Sequence, residues 1–148
     1  METLRFFVPS NRYNKNGTPA PLDGLNELIN AERGDWRIGN RLKRKNGKNA
    51  ESACAAAMKE QGWRCPKGRC LVTLKFVEVN RRRDPDNIYG GAKFILDGIT
   101  KRSGRRTYGA GAIVDDSQKW VKLRYDEDIS VDKERPGCWV TIETMGEE

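Results

Sequence analysis

The sequence predicts an α+β fold, a single domain in which a mixed β-sheet is packed with helices. Three observations carry this expectation. A chain of 148 residues suits one modest core. Segments with strand and helix periods follow one another in the order β-α-α-β-α-β-β-β, which describes helices laid against one mixed sheet. No internal repeat and no linker interrupts them, so residues 1–148 read as one domain.

The elements are justified in order. "LRFFV" is a short apolar strand that Pro9 ends, and "PSNRYNKNGTPAP" is rich in turn formers and reads as a loop. "LDGLNELINAERGDW" places Leu22, Leu25, Leu28 and Ile29 at helical spacing, with Asp23 as the expected N-cap. "RIGNRLKRKNGKN" is basic, and Asn46-Gly47 predicts a turn within it. "AESACAAAMKEQ" is a helix by propensity alone, with Gly62 as its stop. After "CPKG", the run "CLVTLKFVEV" alternates as a strand, with Leu71, Thr73, Lys75 and Val77 on one side. A third helix is expected to start at Asp86 or Asn87 and to run to about Lys101. "KRSGRRTYGAG" is a basic loop, "AIVDD" a short strand or extended arm, and "WVKLRYDE" and "GCWVTIETM" are the last strands.

Charge and composition narrow the function. The net charge of +7 makes nucleic acid the leading polyanionic partner. There is no apolar run long enough to cross a membrane. The start, "METLRFFVPS", lacks the charged-then-apolar order of a signal peptide, so a cytoplasmic protein is expected. The chain has no histidine, which excludes histidine general bases, triads and two-histidine metal sites. Cys54, Cys65, Cys70 and Cys138 are expected to be reduced and packed; an all-cysteine zinc site is the lesser reading of "CPKGRC". Trp36, Trp63, Trp120 and Trp139 are expected to anchor the core or an interface.

Two acidic clusters stand out in this basic chain. In "RRRDPDNIYGG", Asp84 and Asp86 follow Arg81, Arg82 and Arg83 directly. With Asp86 at the N-cap of the third helix, Gly90, Lys93 and Asp97 share its face. Ile88, Ala92, Ile95 and Ile99 fall roughly opposite, as an apolar stripe. Gly90 and Gly91 cost that helix about 1 kcal/mol each, and a bare backbone there would let a phosphate chain approach. Read alone, the aspartates are equally helix caps or catalytic carboxylates. The second cluster, "AIVDDSQKW", sets Asp115 and Asp116 at the end of an apolar run. Carboxylates brought together repel unless a cation resolves the conflict, and a hard ion such as Mg²⁺ takes oxygen ligands. Between carboxylates and a phosphodiester, such an ion activates water, and Lys93 adds positive charge nearby.

Together, "RRRDPDN", "AKFILDGI" and "VDDSQKW" resemble the RusA family of Holliday junction resolvases, of the type found in Gram-positive bacteria and their phages. "GLNELINAERGDW" and "SVDKERPGCWVTIE" extend the likeness over most of the chain. The resemblance implies a RusA-like endonuclease domain acting in DNA recombination and repair. It would be a homodimer that binds four-way DNA junctions and nicks two opposed strands symmetrically with Mg²⁺, for which Mn²⁺ can substitute. It implies catalytic roles for Asp84, Asp86, Lys93 and Asp116, and metal ligation by Asp84, Asp86 and Asp116 with Asp115 as neighbour. No small-molecule cofactor is implied. Two departures stand out: Lys93 lies farther from Asp86, as though "YGG" were inserted, and "KRSGRRTYGAG" is longer than the family's usual connection.

The basic residues divide into three groups. Of Arg81, Arg82 and Arg83, alternation along a strand lets one or two face phosphate while another pairs with an aspartate. Lys101, Arg102, Arg105 and Arg106, followed by Lys119, form a second DNA-binding group, with Tyr108 available to stack. "RLKRKNGK" forms a third. Backbone contacts of this kind bind without reading sequence and weaken steeply with salt. The alternative from another class is a basic DNA-binding accessory protein without catalysis.

Overall fold

The computed structural model describes residues 2–146. It is a single α+β domain built on a mixed sheet. The elements are β1 (Thr3–Pro9), β2 (Arg12–Tyr13), β3 (Pro19–Ala20), α1 (Leu25–Gly34), α2 (Trp36–Gln61), β4 (Cys70–Glu78), α3 (Pro85–Tyr89), α4 (Ala92–Ile99), β5 (Val121–Tyr125), β6 (Ser130–Val131) and β7 (Gly137–Thr144). The sheet order is β1-β7-β4-β5, with β6 also on β4. β7 runs antiparallel to both β1 and β4, whereas β5 and β6 run parallel to β4. β4 is therefore the central strand. Its end delivers the chain to the arginine–aspartate segment.

Strand alternation sorts the two faces as the sequence predicts. Leu4, Phe6 and Val8 of β1, Val72, Leu74 and Phe76 of β4, and Val140 and Ile142 of β7 are buried. They meet Ala50 and Cys54 of α2 and Ile95 and Ile99 of α4 in one core. The predicted stripe of Ile88, Ala92, Ile95 and Ile99 is buried throughout. The opposite face stays open, where Arg5 lies 4.2 Å from the Trp139 ring centroid.

Several local expectations are overturned, each by packing. Asn46-Gly47 is no turn but lies inside the 26-residue helix α2, which Asp35 caps by accepting from Arg37 N–H and Gly62 ends at φ 67°. Asn46 Nδ2 donates to Asp23 Oδ2 and to the Leu42 carbonyl, leaving its buried Oδ1 without a partner, while Gly47 lies against the Tyr108 ring. Tertiary contacts thus override a turn-forming pair. The third helix is two pieces, joined at Gly90 and Gly91 and ended at Ile99. These glycines are bare for the protein's own sake. A Cβ on Gly90 would meet the Leu25 backbone at 2.9 Å, and one on Gly91 the Asp23 carbonyl at the same distance. Gly24, not Asp23, caps α1, its N–H donating to Glu27 Oε1 at 2.7 Å. Residues within the predicted loop 9–21 pair as the small β2–β3 hairpin. Trp36 is 67% exposed and takes no part in the core, whereas Trp63 is buried. The four cysteines are free thiols, with Cys65 half-buried and the other three buried.

Candidate active site and nucleic-acid interface

The end of β4 is organised by a buried carboxylate. Glu78 is 2% exposed and receives two hydrogen bonds from Arg83, at 2.8 and 2.9 Å. The same guanidinium reaches Glu27 at 2.7 Å. Arg83 therefore pairs with glutamates rather than with an aspartate, and its donors turn inward. Arg81 and Arg82 are exposed and make no ion pair among the described residues. A bidentate guanidinium on a buried carboxylate is a structural clamp, and it holds the entry to α3.

Asp84, not Asp86, is the N-cap of α3, with Pro85 as the first helical residue. Asp86 accepts from the Asn87 N–H at 2.9 Å. Asn87 is buried, and its Oδ1 accepts from the Asn26 N–H at 2.7 Å. That bond satisfies one of the free donors in the first turn of α1. The asparagine of the motif thus docks α3 on α1, while both aspartates remain exposed. Beyond this lies a second network, in which the buried Asp23 accepts from Arg12 Nε at 3.1 Å and from the Asn46 amide at 2.8 Å.

One helix further on, Asp97 gathers the other half of the site. It is buried at the crossing of α4 with α2, where Gly98 sits so close that a Cβ would meet the Gly47 carbonyl at 2.6 Å. Its carboxylate lies 3.9 Å from Lys93 Nζ and 3.4 Å from Arg106 Nη1. Burial raises its pKa; Lys93 and Arg106 pull it down, and Asp116 raises it further by like charge. Asp116 itself is exposed. Beside it, the Asp115 pKa is lowered, first by the Asp116 backbone N–H and then by the Ser117 side chain. Lys93 and the later Arg106 therefore converge on Asp97, a residue the sequence places on the polar face of its helix without a role. Its position four residues after Lys93 was the available signal; its burial was not.

Arg106 connects this point to the basic loop. It donates to the carbonyls of Tyr108 and Lys101, at 3.1 and 3.0 Å, as well as to Asp97. Tyr108 is buried against Gly47, so its ring is a floor and does not stand free to stack. Arg102 pairs with Glu51 at 3.2 Å, and the same carboxylate accepts the Gly109 N–H. Lys101 and Arg105 are exposed. Lys119 is exposed too, its ammonium 5.4 Å from the Trp120 ring centroid.

The donor types suit a hard divalent cation. Asp84, Asp86, Asp115 and Asp116 offer only oxygen, and none takes part in an ion pair among the described residues. They are not gathered, however. Among the described residues no three Asp, Glu or Cys side chains stand together as a group able to hold a metal ion. Among the same residues, no helix is long and apolar enough to cross a membrane. No family model, curated protein or solved structure matches the chain.

Proposed function

We propose that this protein is a Mg²⁺-dependent, structure-selective endodeoxyribonuclease of RusA type, acting in the cytoplasm on four-way junctions during DNA recombination and repair. The observation that carries the reading is the convergence of Lys93 and Arg106 on the buried Asp97 carboxylate. It supports the reading because the Lys93 and Asp97 of the helix motif come together there with the basic loop that leads to the downstream acidic pair. Asp84, Asp86 and Asp116 would hold the metal, with Asp115 alongside. An ion held there would supply an activated water and offset charge growing on phosphate. The protein's own groups do the rest. Lys93 is exposed and tethered near Asp97, where its ammonium stabilises negative charge on the reacting phosphate. Arg81 and Arg82 draw the DNA backbone toward carboxylates that would otherwise repel it. A homodimer places two such sites on one junction for two opposed cuts.

A second reading has one observation in its favour. The ungathered carboxylates also fit a basic DNA-binding accessory protein that does not cut. The discriminating experiment incubates the protein with a labelled four-way junction, with and without Mg²⁺, alongside linear duplex and an Asp86→Asn variant. Symmetric paired nicks that require both Mg²⁺ and Asp86 are expected. Tight junction binding without cutting in Mg²⁺ or Mn²⁺, over several junction sequences, would establish the accessory role instead.

A further inference from the structure

The fold joins two basic stretches of the sequence into the walls of one cleft. The cleft has a volume of about 450 Å³ and lies between the first half of α2 and the loop after α4. Arg41, Lys43 and Arg44 line one wall and Arg105 and Arg106 the other, with Tyr108 at its base and no acidic residue in the lining. Of these five cations only Arg106 has a carboxylate partner among the described residues, namely Asp97. The remaining four make no ion pair among the described residues, though Lys43 lies near enough to Asp97 to lower its pKa.

Such an arrangement costs free energy through like-charge repulsion, so the protein must hold it in place. The loop is fastened at several points. Arg106 bonds two of its carbonyls, Arg44 reaches Thr107 Oγ1 across the cleft at 3.4 Å, Gly109 and Arg102 both bond Glu51, and Tyr108 packs on Gly47. Cations fixed on two walls of a concave surface focus positive potential and favour a polyanion over a single counter-ion. The cleft is also continuous with the candidate active site, because Arg106 touches both the cleft and Asp97.

We infer that this cleft holds the sugar–phosphate backbone of the DNA strand flanking the cut, without reading its bases. The inference rests on the nuclease reading for which strand is held, though not for binding itself. Arg41 and Arg44 are exposed on a helix and touch no residue given a catalytic role, so Arg41→Ala/Arg44→Ala should fold. A matched control, Lys59→Ala/Arg64→Ala, removes the same charge near the far end of α2, about 22 Å along the helix from Arg44 to Lys59.

Binding of a labelled junction would be measured by fluorescence anisotropy over a salt series in EDTA, where no cutting occurs. Arms with an RNA strand and with inorganic triphosphate as competitor would run in parallel. The cleft variant should lower the slope of log K against log salt by about 2, because each lost phosphate contact removes about 0.9. At 0.15 M salt that is a loss of affinity of about tenfold or more, with the control close to the parent. Equal slopes for the cleft and control variants would overturn the inference. So would RNA binding more tightly than DNA through the same residues, or triphosphate saturating the cleft without displacing DNA. The two proposals fail separately. A persistent slope difference with no cleavage in Mg²⁺ would sink the nuclease reading alone, whereas cleavage with equal slopes would sink the cleft alone.

Discussion

Replacing Gly47 by alanine tests the contact that anchors the basic loop. Two effects oppose each other. Alanine inside a helix is favoured over glycine by about 1 kcal/mol. The new Cβ, however, would lie 2.7 Å from Tyr108 Cδ2 and 2.9 Å from Cζ, well inside contact distance for a buried ring. Overpacking of this kind costs about 1–3 kcal/mol. The net expectation is a loss of up to about 2 kcal/mol, and the loop carrying Arg105 and Arg106 should loosen with it. Gly39 lies in the same helix and supplies the internal comparison. There the new Cβ meets chiefly Glu32 Cγ at 2.6 Å, on an exposed side chain that can swing aside. Gly39→Ala should therefore gain up to about 1 kcal/mol. Urea denaturation followed by circular dichroism would measure both, and thermal melts should separate the two variants by several degrees, at about 2–4 °C per kcal/mol. If Gly47→Ala proves as stable as Gly39→Ala, Tyr108 does not pack on α2 and the account of the loop fails. If the cost is real, it should vanish in a Tyr108→Ala background, because the two residues share one contact.

Other outcomes follow from the same structure. Arg83→Ala strands the buried Glu78 carboxylate and should cost about 3–5 kcal/mol in urea denaturation, whereas Arg82→Ala on the exposed side should change stability by no more than about 0.5 kcal/mol. In the native protein at pH 8, iodoacetamide should modify Cys65 first. Burial pushes the Cys54 thiol up to about 12 and that of Cys138 upward as well, so mass spectrometry should find both protected until denaturant is added. Asp97 ionises less readily folded than unfolded, so its ionisation opposes folding at neutral pH. Its contribution should rise as pH falls through the folded pKa toward the ordinary value of about 3.9, then stay level. The stability difference between the parent and Asp97→Asn should shift toward the parent over that window, and a difference independent of pH would contradict the burial of this carboxylate.

Much of the fold was legible because its signals are local. Alternation in 70–78 and 137–144 marks β4 and β7, the 3.6-residue stripe of Ile88, Ala92, Ile95 and Ile99 marks the buried side of α3 and α4, and Gly62 ends α2 where a left-handed residue is needed. Hydrophobic period and backbone conformational preference act over a few residues, so sequence alone determines them. The two acidic clusters and the three basic ones are likewise readable, since charge is a property of residue type.

What those charges face was decided only by tertiary packing. Arg83 reads as a neighbour of Asp84 in the chain, yet its guanidinium lies on Glu78 and Glu27, the latter brought in by α1. Asn46-Gly47 reads as a turn, yet a close ring and a close helix crossing keep it helical. Asp97 becomes a meeting point because α4 buries it and the later chain returns Arg106 to its side. Electrostatic and packing energies depend on distance in space and on exclusion of water, and neither is set by separation along the chain. Residue types supply the charges, and the packed core assigns their partners.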